Sequence, residues 1–413
     1  MRIVSGPNAG KIVEKLATRG MQLDDLEPTV RRIVNAVRRK GDIALRRYAQ
    51  QWDRLDKKQS LQVSAAEMAD ALRSLSTDMR EALQKAAGNI RRFCMWQKPR
   101  SWTRTHDGIS LGQIIEPLRS VGCYAPGGRY PLVSTVLMTV IPAQVAGVEN
   151  IRVVSPNPSK EVLAAAAMLG IREFYRVGGA HAIAALAYGT DSIARVDKIV
   201  GPGNSYVTLA KKLVAFDCAI DLLAGPTEAV IVSDSGNPEF IAADLVAQAE
   251  HDVDAVSVFI TTSSKLADSV KEQAVRLAAR NPTAQRSLRK SGVILVASSR
   301  EKAREWANRI APEHITVSED DLPFVRNAGS VFVGDYSAQA AGDYASGPNH
   351  VLPTMGQARF RGGLSVFDFV KVMTVQNVSP EGLRKIAPAI ECLARAEGLP
   401  AHENSVRLRC AHA

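Results

Sequence analysis

Four of the chain's seven histidines stand in short polar clusters with carboxylate or amide neighbours, and all four clusters fall after residue 245. They are Gln248-Ala249-Glu250-His251, Glu313-His314, Asp343 with His350 in AGDYASGPNH, and Glu397 with His402 in EGLPAH. Imidazole nitrogen and carboxylate oxygen are the donors that zinc-class ions take, and the same groups move protons near neutral pH. The pattern is that of an enzyme.

In a helix over 237–251, Gln248 and His251 lie three apart on one face, with Asp244 a turn earlier. Such a pair is also ordinary helix-surface chemistry, and an ion would need two further ligands from distant segments. Asp343 and His402 are the best candidates, since each lies in a Gly- or Pro-containing loop that can aim a polar side chain at a cleft. Gln, His, Asp and His without thiolate suit Zn²⁺ or another first-row divalent ion, and the weak Gln carbonyl leaves room for substrate. Glu313-His314 follows Pro312 at the end of a predicted helix. There the pair either shares proton transfer or merely decorates a helix end. The loops PGG (126–128), GG (178–179) and GPGN (201–204) lie close to predicted helix starts, where backbone N–H groups can approach a pyrophosphate. None is a GxGxxG fingerprint, and such pairs are also common turns.

The elements that must position these residues alternate in the manner of βαβ units. IRVVSP, FYRVGG and VDKIVGPGN each lead into a helix-like stretch, and a second series follows with EAVIVSD, AVSVFITT, GVILVASS and GSVFVGDY. At 413 residues the chain exceeds the roughly 250–300 at which single cores stop growing, so two α/β lobes joined near AGPTE (224–228) are expected. The first ~120 residues and the last fifty, with VKVMTVQNV onward, read as mostly helical. The uncharged stretch 130–148 is too polar and too broken by Pro131 and Pro142 for a membrane span, and reads as a buried helix.

The formal charge of +10 raises nucleic acid as a partner, but many of the basic residues sit on one N-terminal helix. There Val30, Ile33, Val34 and Val37 form the buried stripe, and Arg31, Arg32, Arg38 and Arg39 lie mostly off it on a solvated face. No zinc-finger spacing, RNP-like motif or arginine-rich tail accompanies the charge. Five scattered cysteines without a CxxC pair argue for a reducing compartment, and MRIVSGPNAGK lacks the apolar segment of a signal peptide, so the expected location is cytoplasmic.

Taken together, YAPGGRYPLVSTVLM, VGGAHAIAALAYGT, VDKIVGPGN, AGPTE, DLVAQAEH, PEH, AGDYASGPNHVLPT and EGLPAH resemble the histidinol dehydrogenase family over nearly the whole chain. The resemblance implies a zinc- and NAD-dependent oxidation of L-histidinol through L-histidinal to L-histidine, with two NAD reduced, as the last step of histidine biosynthesis. By resemblance the zinc ligands are Gln248, His251, Asp343 and His402, one ion per subunit, and the catalytic pair is Glu313 and His314. His314 would take the alcohol proton as hydride leaves, and Glu313 would activate water on the aldehyde. The zinc would hold the substrate's amine and imidazole. Thr227, His350 and Glu397 match further substrate contacts, beside His314 and the zinc ligands, and Tyr124, position 181 and Asn204 match the NAD contacts.

The expected organisation is two incomplete Rossmann-like, doubly wound α/β lobes. Residues 19–119 with 228–363 carry the zinc and catalytic groups, and 120–227 bind NAD. An N-terminal segment (1–18) and a C-terminal helical segment (364–413) flank them. The family's intertwined homodimer implies exchange of the C-terminal segment, with Glu397 and His402 acting in trans. Two positions depart from the family pattern. His181 stands where Gln is usual, which suggests a cofactor affinity that varies with pH over roughly 5.5–7.5. Thr227 stands where Ser is commoner and keeps the hydroxyl. Two other enzymes remain open: a relative oxidising another small alcohol such as a sulfonated diol, whose anion would want Arg or Lys where His350 and Glu397 stand, and a metal-dependent hydrolase needing no nucleotide.

Overall fold

The computed structural model describes residues 1–20, 23–127 and 132–412. Gly128 of the PGG loop and Tyr130 and Pro131 of the uncharged stretch lie outside them. The chain divides into two compact units, Met1–Gln97 with Arg119–Phe369, and Lys98–Leu118 with Val370–Ala413.

The first unit contains two parallel sheets wound in the same way. One has the spatial order Glu173–Tyr175, Asn150–Val154, Ser120–Tyr124, Lys198–Val200, Ala219–Ile220. Numbered along the chain this is 3-2-1-4-5, so the winding reverses beside Ser120–Tyr124. The other sheet runs Arg2–Ser5, Val293–Val296, Val256–Thr261, Glu228–Val232, His314–Val317, Ser330–Val333. Leaving aside Arg2–Ser5, the order is again 3-2-1-4-5, reversing between Glu228–Val232 and His314–Val317. Strands such as EAVIV are buried at every residue because helices cover both faces, which accounts for runs of β-branched residues instead of alternation.

Where the N-terminal segments dock differs from the expected division. Arg2–Ser5 is an edge strand of the six-stranded sheet, and Ala9 and Val13 of the Gly6–Ala17 helix share a core with Trp306 and Ile310. Val30, Ile33, Val34 and Val37 form the stripe read from the sequence, but they pack with Ile183, Leu186 and Tyr124 of the five-stranded lobe. The sequence division had grouped 19–119 with 228–363. Chain adjacency does not decide where an apolar stripe docks; complementary surface does. Val133–Ala146 is the buried helix expected of the uncharged stretch, with Pro142 inside it. Among the described residues no helix is long and apolar enough to cross a membrane.

In the second unit Val370–Val378, Ile109–Pro117 and Trp102–His106 form an antiparallel sheet in that order. VKVMTVQNV, expected as helix, is therefore a nine-residue strand paired along its whole length. Its Val and Thr residues prefer extended backbone, and a partner strand lies ready in the hairpin 102–117. That hairpin turns at Asp107-Gly108, with φ of 52° and 79°, the positive pair that an Asp-Gly turn favours. The helices Pro380–Ala396 and Pro400–Ala411 follow, as expected.

Candidate active site

At the carboxyl edge of the five-stranded sheet, beside the point where its winding reverses, lies a cavity of about 690 Å³. Tyr124, His181 and Asn204 all line it. Each follows from its local sequence. Tyr124 ends the strand Ser120–Tyr124, and its hydroxyl accepts the Gly179 N–H at 3.0 Å. His181 sits in the first turn of the Gly179–Tyr188 helix. Asn204 caps the Ser205–Val214 helix, its Oδ1 accepting from Tyr206 N and Val207 N at 3.1 Å each. Gly201 has φ of +112°, and a Cβ there would run into the Tyr124 carbonyl oxygen, so this turn requires glycine. Helix N-termini opening onto a switch-point crevice are where a dinucleotide's phosphates find N–H donors.

His181 is buried, and its Nε2 lies 2.7 Å from Asp53 Oδ2, which also accepts the Gly178 N–H at 2.9 Å. Among the described residues its Nδ1 has no hydrogen-bond partner. Asp53 was not legible as a site residue, since it follows the Asp42–Trp52 helix with no motif around it.

The catalytic candidates gather at the amino edge of the six-stranded sheet. Glu313 and His314 are both buried, so the pair does not decorate a helix surface. The Arg300–Ile310 helix stops at Ala311 in a left-handed conformation, and His314 opens the strand His314–Val317, paired with Ala229 and Ser330. The Glu313 carboxylate accepts hydrogen bonds from the Thr227 hydroxyl and, at 2.9 Å, from Glu228 N. Thr227 Oγ1 in turn accepts from the Gln248 side-chain amide. Burial pushes Glu313 up to about 7, against the nearby His314 charge. His314 Nδ1 lies 3.7 Å from Glu313 Oε2, and its Nε2 lies 3.4 Å from Asp343 Oδ1. Burial pulls the imidazole down, but Glu313 and Asp343 outweigh it and raise it to about 9. Asp343 in turn is held below the usual carboxylate range by His314, although burial opposes this.

His350 Nδ1 donates to the Asp343 carbonyl at 2.8 Å, which leaves Nε2 to accept from the Thr135 hydroxyl at 3.3 Å. Burial lowers its affinity for a proton. Asp244, a turn before Gln248, is pushed up to about 6 by burial, with the Asp343 charge adding to the shift. A second cavity, of about 560 Å³, opens beside His251 and Tyr344, with Met79, Leu83 and Ala86 of the Thr77–Gln97 helix forming an apolar wall. Nothing in the sequence marked that helix as part of a site.

The structure thus brings Thr227, Gln248, Glu313, His314, Asp343 and His350 together in the first unit. His251 ends the Pro238–His251 helix and lies near enough to Asp343 and His350 for its charge to act on both. Among the described residues no group of three His, Cys, Asp or Glu side chains is arranged to hold an ion. The donors nevertheless fit one. Gln248 gives its amide nitrogen to Thr227, so its carbonyl oxygen is what it has to offer a cation. Asp343 and His251 supply carboxylate and imidazole, the hard and borderline donors zinc accepts. Glu397 and His402 belong to the second unit, exposed on either side of the turn between its two helices.

Known proteins resemble the chain along nearly all of its length. Residues 16–410 match the family described as histidinol dehydrogenase. The chain is 45% identical to histidinol dehydrogenase of Aquifex aeolicus over 407 residues, covering 96% of each chain. It is 44% identical to that of Methanothermobacter thermautotrophicus over 414 residues, covering 97% of each. The crystal structure of histidinol dehydrogenase from Elizabethkingia anophelis superposes with a TM-score of 0.94 at 36% identity, covering 100% of this chain and 98% of that one. With nearly the whole chain matched in sequence and all of it in fold, the protein belongs to the histidinol dehydrogenase family of NAD-dependent oxidoreductases.

Proposed function

We propose that the protein oxidises L-histidinol to L-histidine in two successive steps, each reducing one NAD, with a zinc ion holding the substrate. The observation that carries this reading is the hydrogen-bond chain from the Gln248 amide through the Thr227 hydroxyl to the Glu313 carboxylate, which ends beside His314. It joins a candidate ion ligand, a substrate-side hydroxyl and Glu313 in one network, with His314 Nδ1 3.7 Å from that carboxylate.

His314 takes the alcohol proton in the first step. Flanked by two carboxylates it is a stronger proton acceptor than free imidazole, and it must first be neutral, so alkaline pH favours it. Glu313 takes a proton from water as water adds to the aldehyde. Burial has moved Glu313 to about 7, close to a working pH, where a carboxylate is both available and basic enough. Thr227 and Glu228 N hold that carboxylate in one orientation. His314 then serves the second oxidation. NAD, bound by Tyr124, His181 and Asn204, supplies the hydride acceptor. Zinc, held by Gln248, His251, Asp343 and His402, supplies a Lewis-acidic anchor for the substrate's amine and imidazole nitrogens. His350 and Glu397 complete the pocket for a small cation.

The proposal extends to a homodimer in which Glu397 and His402 act in trans. It is supported by the second unit's sheet, whose Leu111, Ile114, Val372 and Met373 side chains are exposed in the single chain. Dilution to monomer is then expected to abolish activity and zinc retention together; monomers keeping both would refute it. Free thiols at all five cysteines, three of them buried, support a reducing, cytoplasmic setting.

The decisive assay follows NADH absorbance with L-histidinol, before and after chelation. Two NADH per histidine, lost on chelation and restored by Zn²⁺, is the expected result. No NADH from histidinol in zinc-loaded protein would move the substrate to another small alcohol.

A further inference from the structure

One wall of the 690 Å³ cavity comes from a residue that no family motif marks, Trp52, the last residue of the Asp42–Trp52 helix. Its indole stacks on Tyr48 with centroids 4.9 Å apart and planes within 3°. Tyr48 is itself buried in the core beneath, so that face of the indole is covered by a fixed partner. The His181 ring meets the indole at an angle of 45° with centroids 5.8 Å apart. The next residue, Asp53, is tied to Gly178 N and to His181 Nε2, which anchors the chain just beyond the tryptophan. Despite these supports Trp52 remains 48% exposed, and it lines the cavity.

A large aromatic ring held from behind and left open on a ligand cavity presents a preformed π surface. Planar heteroaromatic rings stack on such surfaces, and the protein has already met the cost of fixing the side chain. We propose that Trp52 is the stacking platform for the adenine ring of the dinucleotide, an inference that rests on the assignment of this cavity to NAD. The choice between the two rings follows from position. The nicotinamide must present its reacting carbon to the substrate beside His314. Yet none of Thr227, Gln248, Glu313, His314 and Asp343 lines this cavity, and it shares no lining residue with the cavity beside His251. The ring at Trp52 is therefore the one that does not react.

The test uses AMP and nicotinamide mononucleotide as separate competitors against NAD, in wild type, Trp52→Leu and Trp52→Phe. A base stacked on an aromatic side chain commonly loses about 10-fold or more in affinity when the ring is removed. Trp52→Leu is accordingly expected to raise the Ki of AMP and the KM for NAD about 10-fold, leaving kcat and the Ki of nicotinamide mononucleotide unchanged. Trp52→Phe keeps a ring and most of the affinity. It also serves as the spectroscopic control: AMP is expected to quench tryptophan emission in wild type, and the change disappears in Trp52→Phe. An unchanged Ki for AMP in Trp52→Leu would overturn the proposal, as would a loss confined to nicotinamide mononucleotide. Asn204→Ala separates the two levels of inference. If it weakens AMP while Trp52→Leu does not, the cavity assignment stands and the platform falls; if AMP does not compete with NAD in wild type, the cavity assignment itself fails.

Discussion

Replacing Lys211 by Met would test how the cofactor loop is held. Lys211 and Asp221 are paired in the core, with side chains 2% and 0% exposed. The ammonium also donates to the Gly201 carbonyl at 3.0 Å, while the carboxylate accepts Gly201 N at 2.7 Å and Leu222 N at 2.6 Å. The pair thus grips both sides of Gly201, the strained glycine that leads to Asn204. Lys211→Met keeps the apolar stem but leaves a buried carboxylate with backbone donors alone, a change that costs about 3–5 kcal/mol. For a unit of this size about 4 kcal/mol corresponds to a fall of about 5 °C in Tm. Calorimetry is expected to show a deficit of that order, and the KM for NAD is expected to rise with kcat held. An unchanged Tm would refute the electrostatic account. A fall in kcat with KM unchanged would refute the link to the cofactor loop.

Three further outcomes are expected around the two cavities. Thr227→Ser keeps the hydroxyl and is expected to hold kcat within about twofold, whereas Thr227→Ala removes a donor that favours the charged Glu313, so the acidic limb of the pH–rate profile should move to higher pH; an unmoved limb would show that Glu313 does not set it. Glu313→Gln is expected to slow histidine formation by about 10²–10⁴-fold while the first oxidation survives, so product analysis should find aldehyde and fewer than two NADH per histidinol consumed. Full stoichiometry in that variant would remove Glu313 from the hydration step. His181→Gln breaks the contact with Asp53, and the KM for NAD is expected to rise with kcat held; an unchanged KM would remove His181 from the cofactor site.

The parallel lobes were legible because buried strands and crossover helices differ sharply in residue type, as EAVIV followed by PEFIAADLVAQAEH shows. The helix pair Gln248/His251 could be read from spacing alone. What the sequence hid is longer in range. VKVMTVQNV reads ambiguously until its antiparallel partner 109–117 is known, since short apolar runs carry no unique period. The Asp107-Gly108 turn was a signal available in the sequence and passed over. Asp53 and Trp52 could not be found by motif, because their roles come from contact with His181, more than a hundred residues away in sequence. Thr227 was marked by the resemblance alone; its place between Gln248 and Glu313 needed three separate segments to meet.

The two lobes share a winding but use opposite edges of their sheets, and the consequence is a sorting of charge. Tyr124, His181 and Asn204 sit where strands end and helices begin, so the positive ends of helix dipoles face the cavity. On the proposed assignment a cofactor's phosphates belong there. Glu313, His314 and the start of Glu228–Val232 sit where strands begin. At that edge helices end: Pro238–His251 finishes with Gln248 and His251 in its last turn, and Arg300–Ile310 stops just before Glu313. The last carbonyls of Arg300–Ile310 are taken by Arg19 and Arg359, but the negative dipole end of Pro238–His251 lies on the side of Asp343 and adds to an environment that favours a cation. A crevice at the usual carboxyl edge of this second sheet would have presented N–H groups to a cationic amine and repelled it. On the proposed assignment, placing the chemistry at the amino edge lets one fold hold an anionic cofactor and a cationic substrate without a change of topology.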